Sequence, residues 1–324
     1  MQLKTILLFG MPRSGTTWLG KVFDSHPGTL YRHEPDSFGT LDAMPLFPQL
    51  EDAGNYGQML QQFVATLPES RSARITGKLP LFPKVYLDPG AFHLRKLLLL
   101  ASKALGRASA AELPLPAMIN RGYSSDAWLV WKSIESLGRL GVIASLLPDC
   151  HAVQILRHPC GYVSSVLRGE AGGQLGGDVP ASEDVGIYEL LLNTAEAQTH
   201  GLTLDGLRSL QPVERLAWRW VIYNEKAIND CAGLTKYTRV RYEDLCADPV
   251  TAYQALFAIT GLPWDDQTAA FVRSSTEGGT GSYYSVYRNP LEAAQNWQQQ
   301  LAADDIERVL AITQNSSAGE LYGD

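Results

Sequence analysis

Four cysteines in 324 residues, no C-x-x-C pair, no long apolar run and no excess of positive charge are the first facts of this sequence. Each shortage removes a class of protein. Cys150, Cys160, Cys231 and Cys246 are too sparse for a disulfide scaffold and read as free thiols of a reducing compartment, the cytoplasm. The run Ile6 to Phe9 is too short for a signal-peptide core. Leu97 to Leu100, within AFHLRKLLLLASKALG, falls far below the about 20 residues that span a bilayer, so no membrane span is expected. For that stretch an amphipathic helix packed on its own domain is preferred to one lying on a membrane surface. With 27 Lys and Arg against 34 Asp and Glu, the net charge of −7 supplies no general attraction to nucleic acid or to an anionic membrane, so any anion site must be built locally. His26, His93, His151, His158 and His200 are too scattered for a metal site, and Cys150 to Arg157 is C-x6-R, not the phosphatase C-x5-R.

What is present is a globular chain, 45% hydrophobic and 19% charged, read as one large domain over residues 1–324. Strand-like and helix-like runs alternate. Thr5–Phe9, Ala127–Trp131, Ala152–Leu156 and Thr238–Arg241 read as strands; Thr16–Ser25, Ser136–Leu147, Val213–Asp230 and Pro249–Thr260 read as helices. This alternation predicts an α/β fold with a doubly wound parallel sheet flanked by helices. Insertions at about 37–57, 68–123 and 169–186 interrupt it, the last with six glycines in eighteen residues, and are expected to wall or cover an acceptor site.

The most informative segment is Gly10-Met11-Pro12-Arg13-Ser14-Gly15-Thr16-Thr17-Trp18, between a strand and a helix. Its glycines permit a tight turn, the first helical amides point at an anion, and the threonine hydroxyls add donors. This is a P-loop-like phosphate cradle with a change. Thr16 occupies the lysine position of G-x-x-x-x-G-K-[ST], and the cation, Arg13, comes earlier. The strand Ala152–Leu156 ends in Arg157, where a nucleoside triphosphatase would offer a Mg²⁺-positioning aspartate.

Pro12 to Thr17 resembles the P-[RK]-S-G-T-T loop of sulfotransferases that use 3′-phosphoadenosine 5′-phosphosulfate (PAPS). A second element of that family, an arginine after a central strand with a serine eight residues on, is matched by Arg157 and Ser165 in LRHPCGYVSSVLRG. Ser25 to Pro35, SHPGTLYRHEP, is similar to a segment of the carbohydrate and tyrosylprotein branch whose glutamate is the proposed base, here Glu34. Lys132-Ser133-Ile134 has isoleucine where cytosolic family members carry a histidine base, and Lys132 resembles a lysine that steadies the transferring group. Arg241-Tyr242-Glu243-Asp244-Leu245 matches an element whose tyrosine lies near the nucleotide, and Ser282 to Arg288, with Pro290 and Trp297, loosely resembles a late nucleotide-binding loop.

The resemblance implies sulfuryl transfer from PAPS to a hydroxyl of a small-molecule or saccharide acceptor, with no metal required. Glu34 would take the acceptor proton, while Arg13 and Lys132, with Ser14, Gly15, Thr16 and Thr17, would hold the sulfuryl and 5′-phosphate oxygens. Arg157, Ser165 and Arg288 would take the 3′-phosphate, with Tyr242 and Ser282 beside the nucleotide. Trp18 stacks on the adenine or fills the core, and Lys132 is either a site residue or a snorkelling surface lysine. His33 is a rival base; if Tyr31 to Glu34 is extended, only one of His33 and Glu34 faces the loop, and Glu34 is the expected one. Two other readings stand beside this one: a small-molecule kinase with an unusual loop, and a catalytically silent nucleotide-binding module.

Overall fold

The computed structural model describes residues 3–37, 40–109, 115, 123, 126–173, 179–277 and 289–323. Five strands form one sheet: β1 Lys4–Phe9, β2 Thr29–His33, β3 Trp128–Ser133, β4 Cys150–Leu156 and β5 Tyr237–Arg241. All paired neighbours are parallel, in the order β2-β3-β1-β4-β5. Helices cover both faces, so the inner strands are apolar almost without interruption rather than alternating.

Alternate residues of β1 feed two cores. Ile6 and Leu8, with Val130, Val153 and Ile155, pack under Leu19, Val22 and Phe23 of the helix Thr16–Ser25 and under Tyr253 and Phe257 of Pro249–Thr260. Leu7 and Phe9, with Leu129 and Trp131, pack against Val142 and Ile143 and against the long helix Pro212–Cys231. That helix begins with proline in its first turn and a capping box in which Gln211 N–H donates to Glu214 Oε2 at 2.8 Å, and it buries Val213, Leu216, Ala217, Trp220 and Val221 at helical spacing.

The four strands expected from sequence are present, each one or two residues longer, and β3 begins at Trp128 instead of Ala127. β2 was not among them. TLYRH carries two basic residues in five, because at the sheet edge Arg32 reaches the carbonyls of Leu67 and Pro68 instead of solvent. The expected helix Ser136–Leu147 is a short 3-10 turn, Leu137–Arg139, followed by a helix Leu140–Leu146. The second insertion is helical over Pro89–Ser109, and the first ends in a 3-10 helix, Leu50–Tyr56. All four cysteines are free and buried, and burial pushes each thiol up to about 12.

Asp36 anchors the C-terminal end of β3. Its carboxylate accepts from Trp131 Nε1 at 2.9 Å, from Ser136 Oγ at 2.6 Å and from Ser133 Oγ, with only 1% of the residue exposed. Asp36→Ala strands three buried donors and is expected to lower unfolding stability by about 3 kcal/mol in urea titrations, with Asp36→Asn costing less.

Candidate active site

Parallel strands deliver their C-terminal ends to one edge of the sheet, and in open α/β sheets that edge binds ligands where strand order reverses. Here β1, flanked by β3 and β4, runs into the glycine loop. A Cβ on Gly10 would sit 2.6 Å from the Ile155 carbonyl oxygen. Gly15 adopts φ +88°, and a Cβ there would lie 2.4 Å from the Tyr242 ring. Tyr242 thus wedges the loop from behind. The helix Thr16–Ser25 starts at Gly15 with no side-chain cap and no acid in its first turn, so its leading amides stay available to an anion. Ser14 and Thr16 are buried and Thr17 half-buried.

Arg13 is held at φ +72°. Its carbonyl accepts from Arg157 Nη1 at 2.9 Å and its Nε donates to Ser165 Oγ at 3.0 Å. The arginine and the serine eight residues apart are therefore joined through the loop. Arg157 also donates to the Ala293 carbonyl at 2.7 Å and stands 5.0 Å from the centre of the Tyr242 ring. Its Nε is buried without a hydrogen-bond partner among the described residues, an unmet donor that a phosphate oxygen would satisfy.

Trp18 fills the core. It is 9% exposed, its Nε1 donates to Ser275 Oγ at 3.0 Å, and its ring meets Tyr253 edge-on at 5.2 Å, so its face is engaged by protein. Ser282 and Arg288 lie outside the described residues. Of the late segment, Trp297 stacks on His158 at 4.4 Å, beside Gly161.

Glu34, His33 and Lys132 come together. Lys132 is fully buried, in register with Leu8 on one side and His33 on the other, and its ammonium pairs with Glu34 Oε1. It is no snorkelling lysine. Burial lowers its pKa, and Glu34 opposes that shift. The condition under which His33 and Glu34 would face opposite ways, an extended backbone through Glu34, is not met. The strand ends at His33, Glu34 turns to φ +50°, and Glu34 Oε1 lies 3.6 Å from His33 Nε2. The other imidazole nitrogen, Nδ1, is 2.8 Å from the Tyr31 hydroxyl. Burial, with Lys132 and Lys78 nearby, depresses the His33 pKa far below neutrality, so the ring is uncharged. Tyr31 and Asp36 went unnoticed in the sequence, although Y-x-H spacing on a strand puts Tyr31 and His33 on one face.

The fold and loop define a P-loop-like α/β protein with Thr16 at the position of a loop lysine. A profile described as the sulfotransferase family matches residues 5–177, more than half of the chain. Mouse carbohydrate sulfotransferase 5 is 24% identical over 94% of this chain and 77% of its own length. Human carbohydrate sulfotransferase 6 is 35% identical over 79 residues, 23% of this chain and 20% of that protein. Among solved structures, a sulfotransferase domain from the curacin biosynthetic pathway aligns with TM-score 0.48 and 15% identity, covering 96% of this chain and 97% of that one. The chain belongs to the sulfotransferase family and is an enzyme of the PAPS-dependent class that its motifs resemble.

Burial and the neighbouring Arg157 push His158 down to about 4, and His33 is depressed further. As pH falls from about 6.5 towards 4, the unfolded chain binds protons that these folded imidazoles refuse, so each erodes stability by up to about 1.4 kcal/mol per pH unit. Thermal denaturation between pH 7 and pH 5 is expected to show a falling midpoint, with a shallower fall in His158→Phe.

Proposed function

We propose that this enzyme moves the sulfuryl group of PAPS to a hydroxyl of a saccharide acceptor, with Glu34 as the general base. The Glu34–Lys132 pair at the ligand-binding edge of the sheet carries this reading. Lys132 and His33 both address Oε1, which leaves Oε2 to receive the proton of the attacking hydroxyl. A neutral imidazole that accepts the Tyr31 hydroxyl at Nδ1 carries its proton on Nε2, towards Glu34, so His33 positions the carboxylate and is not the base.

The acceptor oxygen forms its bond to sulfur as the bond from sulfur to the 5′-phosphate oxygen breaks, and its proton passes to Glu34. As the carboxylate is neutralised, the buried ammonium of Lys132 loses its counter-charge and turns to the negative charge growing on the leaving phosphate. Arg13 and the donors of Ser14, Gly15, Thr16 and Thr17 meet the same charge from the loop side. Arg157 and Ser165, locked to Arg13, hold the 3′-phosphate, and Tyr242 keeps the loop and Arg157 in place. Ser282 and Arg288 are proposed to add to the nucleotide site from the late segment. The names of the carbohydrate sulfotransferase relatives support a saccharide as acceptor. Four free thiols suit the cytoplasm.

Calorimetry in chelator is expected to show 3′-phosphoadenosine 5′-phosphate (PAP) binding at least about tenfold more tightly than 5′-AMP or ATP, with Arg157→Ala losing about that factor. ATP bound as tightly as PAP would refute the donor. Glu34→Gln should keep PAP affinity and lose about 10²- to 10⁴-fold in kcat on a saccharide acceptor. Undiminished turnover in that variant would refute the base. His33→Gln, which preserves a donor at the Nε2 position, should retain more kcat than His33→Ala at equal KM.

A further inference from the structure

The helix Pro89–Ser109 packs by one face and leaves three leucines exposed on the other. Inward, Leu99 is fully buried and forms a small cluster with Ala73 and Leu115, and Ser102 is buried beside it. At 100° per residue, Leu94, Leu97 and Leu100 fall on the opposite side, with His93, Ala101 and Ala104 between them. Those leucines are 49%, 66% and 42% exposed. Leu79 and Val85 of the same insertion are exposed too, so five of the ten exposed large hydrophobic residues among those described lie between positions 79 and 100. The helix is packed on its own domain, as expected from the sequence, but beside His93 and Lys96 its outer face also carries three exposed leucines, and exposed apolar area of this kind marks an interaction site.

Charge identifies what would cover it. Residues 68–109 hold eight Lys and Arg against two acids, in a chain whose net charge is −7. Lys84 is turned inward to Asp24. Lys96 is exposed and Lys103 half-exposed along the edge of the leucine stripe, and Arg71 and Arg74 are exposed in the segment that leads to it. A second copy of the chain would bring two such basic segments together, like against like. An anionic bilayer offers the complementary charge and an apolar interior within reach of a leucine. Arg95 is turned inward to the Thr76 carbonyl, and no helix among the described residues is long and apolar enough to cross a membrane.

We propose that the outward face of the helix Pro89–Ser109, Leu94, Leu97 and Leu100 flanked by Lys96 and Lys103, seats on the headgroup region of an anionic lipid bilayer. The same insertion borders the candidate site, since the Lys78 carbonyl accepts from Lys21 at 2.8 Å and the Lys78 charge acts on both His33 and Lys132. Docking would therefore bring the acceptor side of the enzyme to the membrane surface.

The test is co-sedimentation of the full chain with vesicles of phosphatidylcholine containing about 30% phosphatidylglycerol, and with phosphatidylcholine alone. Partition into the anionic vesicles is expected to be about tenfold stronger and to collapse in high salt. The triple variant Leu94→Ser, Leu97→Ser, Leu100→Ser should lose that binding with an unchanged melting midpoint. Lys96→Glu with Lys103→Glu should weaken it independently, which keeps the test decisive if the serine variant is unstable. Absence of sedimentation with anionic vesicles, or sedimentation indifferent to both variants, would overturn the proposal. So would a solution dimer that the serine variant dissociates and that ignores vesicles.

Discussion

A lysine shut out of water on a β-strand has to be given a counter-charge, and that demand on Lys132 shapes the edge of the sheet around it. Its partner is supplied by the neighbouring strand, one residue past its end, where Glu34 leaves the extended conformation and folds back over His33. The buried ammonium and imidazole are register partners on adjacent strands, so the same closeness that feeds the ion pair keeps His33 neutral. Beneath them Asp36 ties the end of β3 to Trp131, Ser133 and Ser136, and the site rests on a fully engaged polar layer instead of a mobile loop.

Arg13 and Glu34 are the two non-glycine residues with positive φ among those described, and both are candidates for the chemistry. Such conformations cost about 1–3 kcal/mol each and persist only where surroundings over-determine them. The surroundings do so in both places. Arg13 is clamped by Arg157 at its carbonyl and Ser165 at its side chain; Glu34 is clamped by Lys132, whose carbonyl accepts the Glu34 amide at 2.8 Å while its ammonium pairs with the carboxylate. A third contact, Tyr242 against Gly15, closes the loop from the opposite core, and no residue larger than glycine would fit there.

Much of this could be read from the chain. The apolar runs marked β1, β3 and β4 because inner strands covered on both faces must be apolar, and the glycine loop declared itself by spacing. β2 escaped because Arg32 and His33 look like surface residues until edge carbonyls and a buried tyrosine are there to receive them. The shared orientation of His33 and Glu34 was illegible for a simpler reason: strict alternation holds only within a strand, and a positive φ at glutamate has no sequence signature. Likewise Trp18 at helical spacing from Val22 fits a core or a ligand equally well, and only Ser275 and Tyr253 decide between them. The helix Pro89–Ser109 packs on its own domain through Leu99, as its pattern suggested, but periodicity could not say that Leu94, Leu97 and Leu100 would stay exposed.

The four buried thiols have a practical side. Cysteine reagents act on accessible thiolates, and here every native thiol is both enclosed and held far from ionisation at neutral pH. For maleimide chemistry the folded wild-type protein is thus already a silent background. A single cysteine placed at an exposed position of the leucine stripe would take up a fluorophore or spin label alone, so the environment of that helix can be followed by spectroscopy without first stripping the protein of its own sulfur.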